Sequence, residues 1–98
     1  MEKIERVDWT DTGKSALKSV YGFHSEYSET SAEIIVNEIV DGADSIVFAK
    51  QYQVDEINPK YRRIIVRDYK VLYNEKNNII EIMDVICTLQ SPEKLKNK

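Results

Sequence analysis

The chain has 98 residues, 42% of them hydrophobic and 32% charged, with a formal net charge of −3. That composition describes a single globular domain over residues 1–98 and excludes an intrinsically disordered or collagen-like chain. No apolar run approaches the roughly 18 residues of a membrane-spanning helix, and the net acidity argues against strong non-specific binding to nucleic acid.

Lys3–Trp9 is a strand candidate, with Ile4, Val7 and Trp9 apolar. Thr10 or Asp11 then offers a side-chain oxygen to cap a helix. The spacing of Ala16, Leu17, Val20, Phe23 (or His24) and Tyr27 predicts one apolar stripe on a helix that runs to about Tyr27. Gly13 and Gly22 weaken that helix by up to about 1 kcal/mol each relative to Ala. Ser28–Ser31 interrupts the pattern, and Thr30 with Glu33 matches a capping box for a second helix. There Ala32, Ile35, Ile39, Ala43 and Ile46 share a face, which Val36 and Val40 widen. So short a connection makes the two helices an antiparallel hairpin. Val47–Lys60 is the least legible stretch; Gln51–Val54 adds a little strand and Asn58-Pro59 reads as a turn.

Tyr61–Val66 and Tyr69–Tyr73 are rich in β-branched and aromatic residues and are separated only by Arg67 and Asp68. That separation fixes a tight hairpin in which Val66 faces Tyr69, Ile64 faces Val71 and Arg62 faces Tyr73. One side of this hairpin is a core face. The other carries Arg63 and Lys70 and is expected to stay partly open. Asn74–Asn78 is a polar loop, and Ile79–Cys87 is a third strand, apolar enough to expect cover on both faces. Ser91-Pro92-Glu93 has the order of a cap and first turn of a short helix. The architecture expected is α+β: one strand, an αα-hairpin, then a three-stranded antiparallel meander completing a twisted sheet.

Charge is uneven. Residues 1–50 carry five Lys/Arg and ten Asp/Glu, whereas Lys60–Lys70 holds five basic residues and one acid. Lys60, Arg62, Arg63, Arg67 and Lys70 form a local patch suited either to solvent or to a phosphate- or carboxylate-bearing partner. Chemistry is otherwise sparse. There is no Gly-rich phosphate loop, no Cys/His metal spacing and no set of parts for a nucleophilic triad, so no cofactor and no metal site is implied. His24 sits mid-helix and reads as structural or surface, and Asp55-Glu56 are adjacent carboxylates with no sign of joint function. Cys87 is alone, so no internal disulfide is possible and a reducing compartment is the simpler setting. The charged start MEKIERVDW lacks the apolar stretch of a signal peptide, and a cytoplasmic protein is expected.

Tyr61-Arg62, Ile64, Val66, Tyr69-Lys70-Val71-Leu72-Tyr73 and the later Pro92-Glu93-Lys94-Leu95, together with the element order upstream, resemble the RelE/ParE superfamily of type II toxin–antitoxin toxins. The hairpin is closer to the ParE-like branch, in Tyr61-Arg62-Arg63-Ile64-Ile65-Val66-Arg67-Asp68-Tyr69. The resemblance implies the toxin of a type II (plasmid stabilisation) module that binds a target such as DNA gyrase and is neutralised by a cognate antitoxin. It places the partner-binding surface at Tyr61, Arg62, Arg63, Arg67 and Lys70. It also implies that the antitoxin lays a helix on the helical hairpin or adds a strand to the sheet edge. A RelE-like, ribosome-dependent mRNA endonuclease is the alternative, with Arg63 and Lys70 as its catalytic residues. In that alignment Ile65 takes a usually charged position, Leu89 stands where an Arg is usual, and no Tyr follows Tyr73. A family member that keeps antitoxin binding without toxicity is the third reading.

Overall fold

Residues 3–89 are described by a computed structural model. The hairpin register comes first, because the rest is laid on it. Arg67 takes φ 53°, the left-handed backbone value a two-residue connection needs. Val66 therefore pairs with Tyr69, Ile64 with Val71 and Arg62 with Tyr73, as the spacing predicts. This joins β2 (Arg62–Val66) to β3 (Tyr69–Lys76), which continues to β4 (Ile79–Cys87). The β3–β4 connection is shorter than the sequence pattern suggests. Only Asn77 and Asn78 turn, both at positive φ (53° and 64°), and the polar residues Asn74–Lys76 continue the strand. Asn tolerates the left-handed region better than other residues with a Cβ, so an Asn pair makes this turn at low cost.

The strand β1 (Arg6–Trp9) joins beside β4 and parallel to it, giving the order β1-β4-β3-β2. Chain reversal then produces α1 (Asp11–Ser25) and α2 (Glu29–Asp44), which pack together on one face of the sheet, α1 over β4 and α2 over β2. The expected α+β architecture is the one observed. Ala32, Ile35, Ile39, Ala43 and Ile46 are all buried, as their spacing predicts, against Ile64, Val71, Tyr73, Ile80 and Ile82.

Three further local expectations differ. The cap of α2 is Ser28, whose hydroxyl accepts from the Ser31 amide, so the helix starts ahead of the Thr30–Glu33 pattern. The stripe of α1 turns inward at His24, whose Nε2 lies 2.7 Å from the Tyr69 hydroxyl, while Phe23 and Tyr27 are exposed. A polar partner at the sheet decides between neighbouring positions that apolarity alone ranks the other way. Finally, β4 is fully covered on the helical side only: Ile80, Ile82 and Val85 are buried, and Ile79, Met83 and Ile86 are half-buried. Its apolar continuity reflects a bulge. Leu72 pairs with Asp84 but Tyr73 pairs with Ile82, so Met83 is an extra residue that shifts the alternation.

The bulge is where α1 docks. The Thr10 amide and hydroxyl both donate to the Ile82 carbonyl, at 3.2 and 2.7 Å, and the same hydroxyl caps the helix by accepting from the Gly13 amide. A Cβ at Gly13 would lie 2.5 Å from that carbonyl oxygen, whereas one at Gly22 would meet nothing within 4 Å. Two substitutions on one helix should therefore act in opposite directions in denaturant unfolding. Gly22→Ala gains up to about 1 kcal/mol from helix propensity. Gly13→Ala loses about 1–3 kcal/mol net, because overpacking against backbone exceeds that gain.

Candidate functional site

The basic residues of the hairpin do not form one surface. Arg67 reaches across to α2, where its Nε and Nη2 donate to the two carboxylate oxygens of Glu38 at 2.6 and 2.9 Å. The hydrogen bond from Arg67 holds the Glu38 carboxyl below its ordinary pKa, with the guanidinium charge adding to it against desolvation. Lys70 points to the sheet face away from the helices, as expected, but it is only 7% exposed. Its Nζ donates to Asp55 Oδ1 at 2.8 Å, and Arg63 Nε lies 3.9 Å from the same oxygen.

Asp55 arrives from the α2–β2 connection. Residues 53–55 run antiparallel to the start of β2: the Arg63 amide donates to the Gln53 carbonyl and the Asp55 amide to the Tyr61 carbonyl. This extra pairing wraps the connection around the sheet edge. It leaves Tyr52 on the helical side, where its carbonyl accepts from Arg62 Nη1 at 2.7 Å, and Asp55 on the other. Asp55 Oδ2 accepts from the Ile57 and Asn58 amides, which is the turn chemistry expected around Asn58-Pro59. Burial pushes the Asp55 pKa up. The hydrogen bond and charge of Lys70, with the two backbone amides, outweigh it, and the net position is below the ordinary value. The sequence presents Asp55 only as half of an adjacent carboxylate pair, Asp55-Glu56, with no sign of joint function. Its turn-capping role was legible in Asp-x-x-Asn-Pro, but its pairing with a lysine fifteen residues on was not.

Tyr61 lies under the Lys60 ammonium, 5.4 Å from ring centroid to Nζ. Of the five residues expected to meet a partner, Arg67 and Lys70 are thus held by carboxylates, Arg63 shares one, and Tyr61 and Arg62 lie beside the α2–β2 connection. A markedly apolar surface lies elsewhere. Trp9, Leu17, Tyr21, Val36 and Val40 line a groove of about 430 Å³ across the helical hairpin, with Lys14 and Lys18 at its side. The docking of α1 at Ile82 sets the floor, because it places Trp9 at the foot of the helix. Leu17, Val36 and Val40 were marked as apolar stripe residues by spacing, but Trp9 and Tyr21 join them only through the packing of three elements.

A chain in a solved structure titled "Chromosomal ParDE TA system from P. aeruginosa" is similar over 84% of this chain and 94% of its own length. The TM-score is 0.70 at 18% sequence identity. The fold is ParE-like. No family model matches the sequence, and no curated protein does. No helix among the described residues is long and apolar enough to cross a membrane.

The Asp55–Lys70 pair makes a sharp stability prediction. Asp55→Asn leaves a buried ammonium without its counter-ion and should cost about 3–5 kcal/mol in urea unfolding. Adding Lys70→Met should recover most of it. Because the folded pKa of Asp55 lies below the unfolded one of about 3.9, its contribution is complete above that pH. It is lost as pH falls through the folded value. The acid limb of the stability–pH curve should therefore flatten in the Asp55→Asn/Lys70→Met protein.

Proposed function

We propose that this protein is the toxin of a type II toxin–antitoxin module, of the ParE-like kind, and that a cognate antitoxin neutralises it. The observation that carries the reading is the ParE-like fold, matched over most of both chains. The groove on the helical hairpin gives the antitoxin a place to bind. An amphipathic helix laid there would bury its apolar side on Trp9, Leu17, Tyr21, Val36 and Val40 and bring acidic residues to Lys14 and Lys18. The protein acts in the cytoplasm, and its target is a protein such as DNA gyrase rather than RNA.

Burial supports that choice of target over the RelE-like one. An mRNA endonuclease would need Arg63 and Lys70 to stabilise charge on a phosphate in the transition state. Lys70 is instead enclosed with Asp55, and its side chain is 9% exposed. Reaching a phosphate would mean breaking a buried ion pair, which is strongly unfavourable. Leu89, 75% exposed beyond β4, brings no charge to replace it.

Induced expression in a bacterial host tests the reading. Growth arrest with intact mRNA and altered DNA supercoiling or DNA breaks is expected. Arrest with mRNA cut at the ribosome would return Arg63 and Lys70 to a catalytic role, and no arrest from a folded protein would mean toxicity has been lost. For the antitoxin, Tyr21→Glu should weaken binding by at least about tenfold in calorimetry, since it puts a charge in the apolar groove. Circular dichroism should be unchanged because Tyr21 is at the surface.

A further inference from the structure

Once Arg6, Arg63, Arg67 and Lys70 are assigned to their carboxylates, three described cations without an acidic partner converge on one place. Lys50, Lys60 and Arg62 line a cleft of about 310 Å³ between the α2–β2 connection and the far end of β3. Tyr61, Tyr73 and Asn74 complete its working wall, and Glu75 contributes one acid that also accepts from the Asn78 amide. No residue of this cleft belongs to the apolar groove on the helices.

A second observation singles out the same cleft. Tyr73 is fully buried; the Tyr52 backbone amide stands beside its hydroxyl as a weak donor, but the hydroxyl finds no acceptor for its own proton among the described residues. A buried donor left unpaired is costly, and natural proteins rarely keep one without a use. Arg62 is the cross-strand neighbour of Tyr73 and spends one guanidinium nitrogen on the Tyr52 carbonyl. The rest of its donor fork has no acidic partner among the described residues. Arg62 and Tyr73 stand side by side in the wall of the cleft, so an oxyanion held by Arg62 would lie next to the buried hydroxyl that needs an acceptor.

We propose that this cleft is an anion subsite that takes a carboxylate side chain from an acidic peptide segment of a protein partner. Arg62 forms the paired contact, Lys50 and Lys60 supply the surrounding positive field, and Tyr73 closes the hydrogen-bond set. Charge decides between a carboxylate and nucleic acid. The cleft is one small positive site on a chain of net charge −3, with Glu75 in its wall. Nucleic-acid affinity rests on many phosphate contacts in a continuous basic surface, and the described residues form none.

Amide NMR titration with an acetylated, amidated Gly-Glu-Glu-Gly peptide tests this. Saturable shifts are expected at Lys50, Lys60–Arg62 and Asn74. A Gly-Gln-Gln-Gly peptide should produce none. Lys50→Gln with Lys60→Gln, both exposed and outside the core, should weaken binding roughly fivefold without moving the melting temperature. Tyr73→Phe should also weaken it while leaving thermal stability equal or higher, because the unpaired hydroxyl is gone. Equal shifts with the Gln peptide, or none with the Glu peptide, would overturn the proposal. So would tighter binding of a single-stranded DNA oligonucleotide at the same amides. None of these readouts depends on growth arrest, so this subsite and the toxin reading can fail separately.

Discussion

The contact on which the architecture rests is the docking of α1 onto the Ile82 carbonyl. One backbone oxygen receives the Thr10 amide and hydroxyl, and Gly13 leaves room for it. Because the same Thr10 hydroxyl caps the helix, strand end, helix start and sheet bulge are fixed together. The direction of α1 follows, α2 returns along it, and the apolar groove exists because Trp9 is held at the base of both. A further close approach locks the other side: a Cβ at Gly42 would lie 2.6 Å from Val66 Cγ2, so only glycine lets α2 sit this near β2.

The second organising element is electrostatic. One buried carboxylate, Asp55, neutralises Lys70 and approaches Arg63, and it does so from an irregular segment with little secondary structure of its own. A buried pair of this kind is weak evidence for stability, since desolvation offsets much of the attraction. Its effect here is positional. It closes part of the sheet face that would otherwise present cations to an anionic ligand, and it ties the α2–β2 connection around the sheet edge. The same connection brings Lys50 to Lys60 and Arg62. Charge is thus moved from the middle of the hairpin to its open end without any change in the net count.

The two surfaces differ in chemistry. The groove on the helices offers apolar area with two lysines beside it, the usual makeup of a site for an amphipathic helix. The cleft at the end of β3 offers directional polar contacts and little apolar area. A partner long enough to span both would gain affinity from the first and specificity from the second.

Much of the fold was legible in the chain. The two-residue gap at Arg67-Asp68 set the hairpin register, the three- and four-residue spacing set the buried face of α2, and Ile79–Cys87 delimited β4. These are local periodicities, and local geometry enforces them whatever lies around. The inward turn at His24 and the bulge at Met83 were decided by tertiary contacts, because neighbouring residues of equal propensity compete and only a partner across space selects one; the cap at Ser28 was a local choice between adjacent hydroxyls, settled by the Ser31 amide. The candidate sites depended on tertiary structure still more. Sequence placed Arg62, Arg63, Arg67 and Lys70 close together, but a cation's availability depends on which carboxylate reaches it. Glu38 and Asp55 reach theirs from 29 and 15 residues away, distances over which sequence carries no geometric information until the chain has folded.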